Sequence, residues 1–253
     1  MARTARTRSS TGIYHVVVRG VNRQDIFLED EDRWFYLNNL RQLRSEEKCS
    51  LYGYCLMSNH VHLLVREQQP NAVSKLMHRL GTIFAQWYNL KYDRVGHVFQ
   101  DRYHSSPVED DDYLLTVLHY IHQNPVKAQL VERCGSFPFS SYHAYALAKD
   151  PFGIADIDLA VGLAGCPGEL IRLFNSPAGE LRQSRSKTWS SDDAEVLATL
   201  ESMLQDCTLS DVLSLSIDER NKILSQLKKQ SGYTLRQLSR VTGLSQSTIS
   251  RVG

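Results

Sequence analysis

The spacing of apolar and polar positions changes period several times along this chain, and each change marks an element. Ile13 to Arg19 (IYHVVVR) is β-branched and aromatic and closes on Gly20, which predicts a strand and a turn. From Asp30 to Lys48, Trp34, Leu37, Leu40 and Leu43 recur at helical spacing behind an acidic opening, so a helix is expected. Leu51 to Met57 and His60 to Val65 read as two strands joined by the polar turn Ser58-Asn59, a hairpin. Asn71 to Tyr92 carries Leu76, Leu80, Ile83, Phe84 and Trp87 at the spacing of a long amphipathic helix. Tyr103 to Val108 is a short strand. Asp110 to Gln123 is a helix whose acidic first turn suits the helix dipole, and Asn124-Pro125 is expected to end it.

The resulting order, β-α-β-β-α-β-α, is the split β-α-β pattern of an α+β, ferredoxin-like fold with one added helix. It predicts a four-stranded antiparallel sheet with packed helices. Three regions are expected. Residues 1–146 form this domain. Residues 147–192 form a connecting segment and linker, punctuated by Gly and Pro at first and then polar and poor in core residues. Residues 193–253 read as helical, and Thr234 to Val252 (TLRQLSRVTGLSQSTISRV) has the layout of a helix-turn-helix. Thr234 caps a helix carrying Leu235, Leu238 and Val241. Gly243 makes the turn with Leu244 beneath it, and Ser245 caps a second helix with Ile249 facing inward. That helix presents Gln246, Ser247, Thr248 and Arg251 to a major groove; the alternative is a plain helical hairpin.

Net charge is only +1, so global charge points to no partner, but charge is unevenly placed. Arg3, Arg6 and Arg8 make a basic arm, and from Arg220 onward there are seven Lys/Arg and no Asp/Glu. Such segments suit a polyanion. The five cysteines (Cys49, Cys55, Cys134, Cys166, Cys207) are odd in number and form no C-x-x-C, which fits reduced thiols rather than a disulfide framework. No apolar run approaches a membrane span or a secretory signal, so a cytoplasmic protein is expected.

His60-Val61-His62 carries the first candidate chemistry. On a strand, alternate residues share a face, so both imidazoles project together as a start for a divalent metal site. Alone, such a pair is more often two surface histidines on a half-exposed strand. Tyr120 and Asn124 lie at i and i+4 in HYIHQNP, on one helical face. Phosphoryl transfer through a covalent intermediate needs a nucleophile, a metal to polarise a phosphate oxygen, and ligands to fix that metal. A phenol, two imidazoles and the Asn124 amide oxygen meet that list. A core tyrosine and a helix-ending asparagine are the plainer readings.

Five separated stretches are similar to the insertion-sequence transposases of the HUH type, above all the REP-associated tyrosine transposases. They are YHVVVRGVNRQDIF (14–27), YCLMSNHVHLLV (54–65), GHVFQDRYHSSPVE (96–109), YLLTVLHYIHQNPVKAQLV (113–131) and FPFSSYHAY (137–145), in the same order over roughly residues 12–146. The resemblance implies a ferredoxin-like nuclease core that cuts and rejoins single-stranded DNA beside hairpins. It implies Tyr120 as nucleophile, a 5′-phosphotyrosyl link with a free 3′-hydroxyl, and His60 and His62 as ligands of Mg²⁺ or Mn²⁺. Asn124 falls on the third-ligand position, where much of the wider family has glutamine. His119 and His122 flank the nucleophile as alternatives, and Tyr113 is its rival two turns earlier. Arg19 and Arg102 are candidates for DNA phosphates or for surface salt bridges. The expected partners are single-stranded DNA with REP-like hairpins, duplex DNA for the C-terminal region, and a second copy of the chain. A catalytically silent DNA-binding regulator is the alternative function. An RNA-binding module of the same topology is disfavoured because no RNP-like aromatic segment is present.

Overall fold

In a computed structural model of the chain, the described residues are 7–176 and 217–229, with 238, 242, 244, 246–250 and 252. The chain divides into two compact units, residues 1–184 and 185–253. In the first, β1 (Ile13–Arg19), α1 (Asp30–Glu46), β2 (Cys49–Leu56), β3 (His60–Glu67), α2 (Ala72–Lys91), β4 (His104–Val108) and α3 (Asp111–Lys127) follow the expected order. The four strands make one antiparallel sheet in the order β2-β3-β1-β4, the ferredoxin-like arrangement.

Strand alternation sorts the residues into two layers. Val16, Val18, Val61 and Leu63 are buried on one face, beneath α1 and α2. His15, Val17 and Arg19 of β1 share the other face with His60, His62 and Leu64 of β3, because the register sets Val17 opposite His62 and Arg19 opposite His60. Helix α3 covers that second face. It lies close because β2 has Gly53 beneath it: a Cβ there would sit 2.6 Å from the Leu118 side chain. A register shift between Leu51 and Gly53 interrupts the β2–β3 ladder at the same place.

Helix α1 opens with a capping box between Glu29 and Asp32. The fully buried Asp32 accepts from the backbone of Leu28 and Glu29, from Tyr92 and from Lys91 at 2.7 Å, tying α1 to the end of α2. Burial alone would push its carboxyl up, but these donors hold it below its usual range.

Two expectations need correction. Asn124-Pro125 does not end α3, which runs through Pro125 to Lys127. Proline costs the helix one backbone donor, and the Asn124 side chain stays within the helix by donating to the Tyr120 carbonyl at 2.8 Å. The segment after residue 146 also does more than connect. Beyond α4 (Tyr142–Ala146), it forms α5 (Asp158–Ala164) and α6 (Pro167–Asn175). Leu170 and Phe174 of α6 are fully buried and belong to the main core. An apolar pair at i and i+4 on a nine-residue helix is too short a pattern to separate from loop by periodicity.

Both sheet edges have close neighbours of their own. The outer edge of β2 bonds to the later chain, with Leu56 N–H donating to Phe139, Ser141 N–H to Tyr54 and Asp156 N–H to Leu51. The other edge, β4, carries Pro107.

In the second unit, α7 (Ile217–Lys229) buries Leu224. Leu238, Leu244, Ile249 and Val252 are buried, Ile249 on the short α8 (Gln246–Ser250). Thr242 Oγ1 donates to Leu238 O at 2.6 Å and accepts from Leu244 N–H, which ties the turn to the helix before it. Thr234, Gly243, Ser245, Arg251, Cys207 and the segment 177–216 lie outside the described residues. No helix among the described residues is long and apolar enough to cross a membrane. The described cysteines, Cys49, Cys55, Cys134 and Cys166, are free thiols.

Candidate active site

Between the second sheet face and α3, three imidazoles and one phenol come together. His62 is only 3% exposed, and its Nδ1 lies 3.0 Å from Nε2 of His15. The two rings are near-parallel, 19° apart, with centroids 5.2 Å apart. His60 stands edge-on to His62 at 4.9 Å, and its Nδ1 meets Asn59 Oδ1 at 2.6 Å. From α3, the Tyr120 ring meets His62 edge-on at 5.4 Å and His15 at 5.9 Å. The Lys127 ammonium lies 5.2 Å over the Tyr120 ring, about two helical turns further on.

Electrostatics keep the buried pair neutral. Burial lowers the His62 pKa well below the usual imidazole value, and the charges of His60, His15 and Arg19 add to that. His15 is pushed down to about 4, first by burial and then by the charge of His104, which lies on β4 across from Val17. A neutral imidazole is what a divalent cation requires of a histidine ligand, and His62 meets that condition.

Fit to a cation can be judged from the chain itself. His62 Nε2 is buried and has no hydrogen-bond partner, and His60 projects beside it from the same strand face. An idle imidazole nitrogen beside a second imidazole can bind a first-row divalent cation, and it holds Mn²⁺ and Mg²⁺, which favour oxygen donors, less tightly than a borderline ion. Among the described residues no three His, Cys, Asp or Glu side chains gather as ligands. Asn124 is buried one turn beyond Tyr120, and its amide nitrogen is committed to the Tyr120 carbonyl.

The other candidates separate cleanly. His119 and His122 turn away from the site. His119 Nε2 meets Ser176 O at 3.0 Å. His122 Nε2 meets Ser141 Oγ at 2.8 Å inside a shell of Tyr142, Tyr145 and Phe174, and burial with the His119 charge pushes its pKa down to about 3. Tyr113 begins α3, where its N–H is capped by Asp110 and burial raises its phenol pKa. Arg19 is half-buried beside His60 by register. Arg102 is exposed on the loop before β4, whose Gln100 N–H donates to Arg19 O. Thr248 is half-buried on α8, which also carries Gln246 and Ser247.

Residues 8–124 match the family model described as transposase, IS200 like. Residues 8–124 are thus similar to IS200-like transposases. A Haemophilus influenzae protein that carries the name REP-associated tyrosine transposase provisionally is 28% identical over 136 residues, 47% of this chain and 77% of the relative. A solved structure of a REP-associated tyrosine transposase bound to a REP hairpin has a similar fold, with a TM-score of 0.51 at 17% identity, over 62% of this chain and 93% of that one. Residues 218–251 match the helix-turn-helix model of bacterial regulatory proteins of the arsR family.

His15 and Asn59 escaped the sequence reading, although both lie within its motif stretches. The available signal was strand alternation. His15 falls on the His62 face once β1 and β3 are paired, but the pairing register is not written in either strand alone.

Proposed function

We propose that this protein is a transposase that cleaves and rejoins single-stranded DNA beside REP-like hairpins through a covalent 5′-phosphotyrosine formed on Tyr120. The observation that carries this reading is the Tyr120 ring set against the His62 and His15 rings by α3. The Tyr120 phenol oxygen attacks the scissile phosphorus, and the bond from phosphorus to the 3′-oxygen breaks. The phenol proton is lost and the 3′-oxygen leaves as a hydroxyl. Rejoining reverses these bonds, with an incoming 3′-hydroxyl displacing Tyr120. His60 and His62 are the residues that would hold Mg²⁺ or Mn²⁺, with Asn124 Oδ1 as the third candidate. When bound, the cation supplies positive charge to polarise a non-bridging phosphate oxygen. Lys127 and Arg19 place further positive charge around the same cleft, where phosphate binds. Arg102, exposed on the loop before β4, adds a guanidinium whose fork suits phosphates.

The arsR-type match in residues 218–251 favours a second reading, a DNA-binding regulator without turnover. On either reading Gln246, Ser247 and Thr248 lie on the helix that would enter a duplex groove, with Arg251 next after it in the sequence. Labelled single-stranded DNA carrying a hairpin and a flanking cleavage site separates the two. Active protein should yield a denaturation-resistant adduct in Mn²⁺ that is absent in chelator and absent from Tyr120→Phe. DNA binding without any adduct would leave the regulator as the surviving reading.

A further inference from the structure

The two HUH histidines are each held by their Nδ1 atoms, and the holding groups belong to different parts of the fold. Asn59 Nδ2 donates to the Arg23 carbonyl at 3.3 Å, which fixes which end of the amide points where. The Asn59 Oδ1 atom that then faces His60 Nδ1 at 2.6 Å can only accept. So His60 carries its proton on Nδ1, and its Nε2 carries none.

His62 reaches the same state by a different route. Its Nδ1 and the His15 Nε2 lie 3.0 Å apart, and one of the two must donate. Were His15 the donor, His62 would hold its own proton on Nε2, where it is buried with no acceptor. Orphaned buried N–H groups are rare in folded proteins, whereas an unused lone pair is better tolerated. His62 Nδ1–H therefore donates to His15, and His62 Nε2 is unprotonated as well.

We propose that Asn59 and His15 are positioning residues that lock His60 and His62 in the Nδ1–H tautomer, so that both rings present an unprotonated Nε2 on one side of the sheet. The value of this arrangement for a cation rests on the metal reading above, but the tautomers themselves do not. A histidine that ligates through Nε2 is ordinarily oriented by a hydrogen bond from its other nitrogen. Here one such acceptor comes from the β2–β3 turn. The other comes from the neighbouring strand β1, so correct pairing of β1 with β3 assembles half the site. The turn that receives Asn59 is itself unusual. Asn22 and Arg23 both adopt positive φ, 51° and 60°, and the Arg23 carbonyl that anchors Asn59 is placed by that pair. Positive φ at two successive non-glycine residues costs energy and persists only where the surroundings over-determine it.

Histidine ¹⁵N shifts read tautomers directly, without metal and without turnover. The experiment uses the full chain, histidine-labelled, in two-bond ¹H–¹⁵N correlation spectra recorded at pH 8. Expected are pyrrole-like Nδ1 and pyridine-like Nε2 signals for both His60 and His62. Asn59→Leu should move His60 toward the Nε2–H form and leave His62 as it was, while His15→Leu should do the converse. Asn59→Asp and His15→Gln retain an acceptor and should restore the wild-type tautomer. Mn²⁺ affinity, read by calorimetry, should fall roughly 10- to 100-fold in each Leu variant and recover in the conservative ones. An Nε2–H signal from His60 or His62 in the wild-type protein overturns the proposal. So does an unmoved tautomer in folded Asn59→Leu and His15→Leu. Wild-type tautomers as assigned, together with no Mn²⁺ binding, would support the positioning role and remove the metal reading instead.

Discussion

Tyr113 and Tyr120 sit two turns apart on α3, yet their rings have different company. Tyr113 is capped by Asp110 at the start of the helix, and Tyr120 faces imidazoles. Tyr120→Phe keeps the ring and removes one oxygen. It should abolish the DNA adduct while leaving unfolding free energy within about 0.5 kcal/mol of wild type. An adduct that survives in Tyr120→Phe and disappears in Tyr113→Phe would reassign the nucleophile. Asn124 has two separable roles. Its bond to the Tyr120 carbonyl is structural, so Asn124→Ala should cost about 1 kcal/mol in denaturant unfolding. If Asn124 also ligates, Mn²⁺ affinity should fall with it, though less than in His62→Ala; unchanged affinity would confine Asn124 to the helix. Sequence carried these residues with uneven clarity. The His60 and His62 pair is two letters apart and visible on inspection. His15 is 47 residues from His62 and becomes its neighbour only through strand register.

At the scale of elements, α3 is the part whose position matters most, and it is gripped from behind. Gln123 Nε2 donates to Phe174 O at 2.6 Å and Cys134 Sγ meets the same carbonyl, while His119 meets Ser176 O. The Phe174 ring lies tilted against His122, with ring centroids 4.2 Å apart. Phe174→Ala should therefore destabilise the N-terminal unit by about 3–5 kcal/mol and loosen the helix that bears Tyr120. Hydrogen exchange in α3 should accelerate more than in β1; equal acceleration everywhere would show the grip is not local. Gly20 is a second lever. A Cβ there would fall 2.2 Å from Gln24 O, so Gly20→Ala must displace the turn that anchors Asn59. A loss of about 1–3 kcal/mol is expected, accompanied by weakened Mn²⁺ binding. The strands and the first three helices were legible because each repeats its period for several residues. Helices α5 and α6 were not, since a seven-residue and a nine-residue helix among glycines give too few repeats, and tertiary burial of Phe174 decides the matter.

For the whole molecule, the division at residues 184 and 185 makes each unit answerable to a separate test. A chain ending at Ser184 should keep the cooperative unfolding of the N-terminal unit and lose affinity for duplex DNA. Undiminished duplex binding would count against the helix-turn-helix as the duplex reader. Acid stability belongs to this scale too. The Asp32 carboxyl is held below its ordinary value of 3.8, so the folded state binds its proton less readily than the unfolded chain does. Its contribution is complete above that value and is lost as pH falls through the lower folded pKa. Between pH 4 and pH 2 the wild type should lose stability more steeply than Asp32→Asn; matching slopes would mean Lys91 and the capping backbone do not hold the charge. The guarded sheet edges carry a consequence for crowded solutions. Exposed strand edges recruit like edges and seed fibrils. Here residues 139–156 occupy the flank of β2, and Pro107 interrupts the donor row of β4. Copies of this protein should therefore resist zipping edge to edge. Any self-association would have to run through helices or shared DNA, and it should leave no amyloid-dye signal on prolonged concentration.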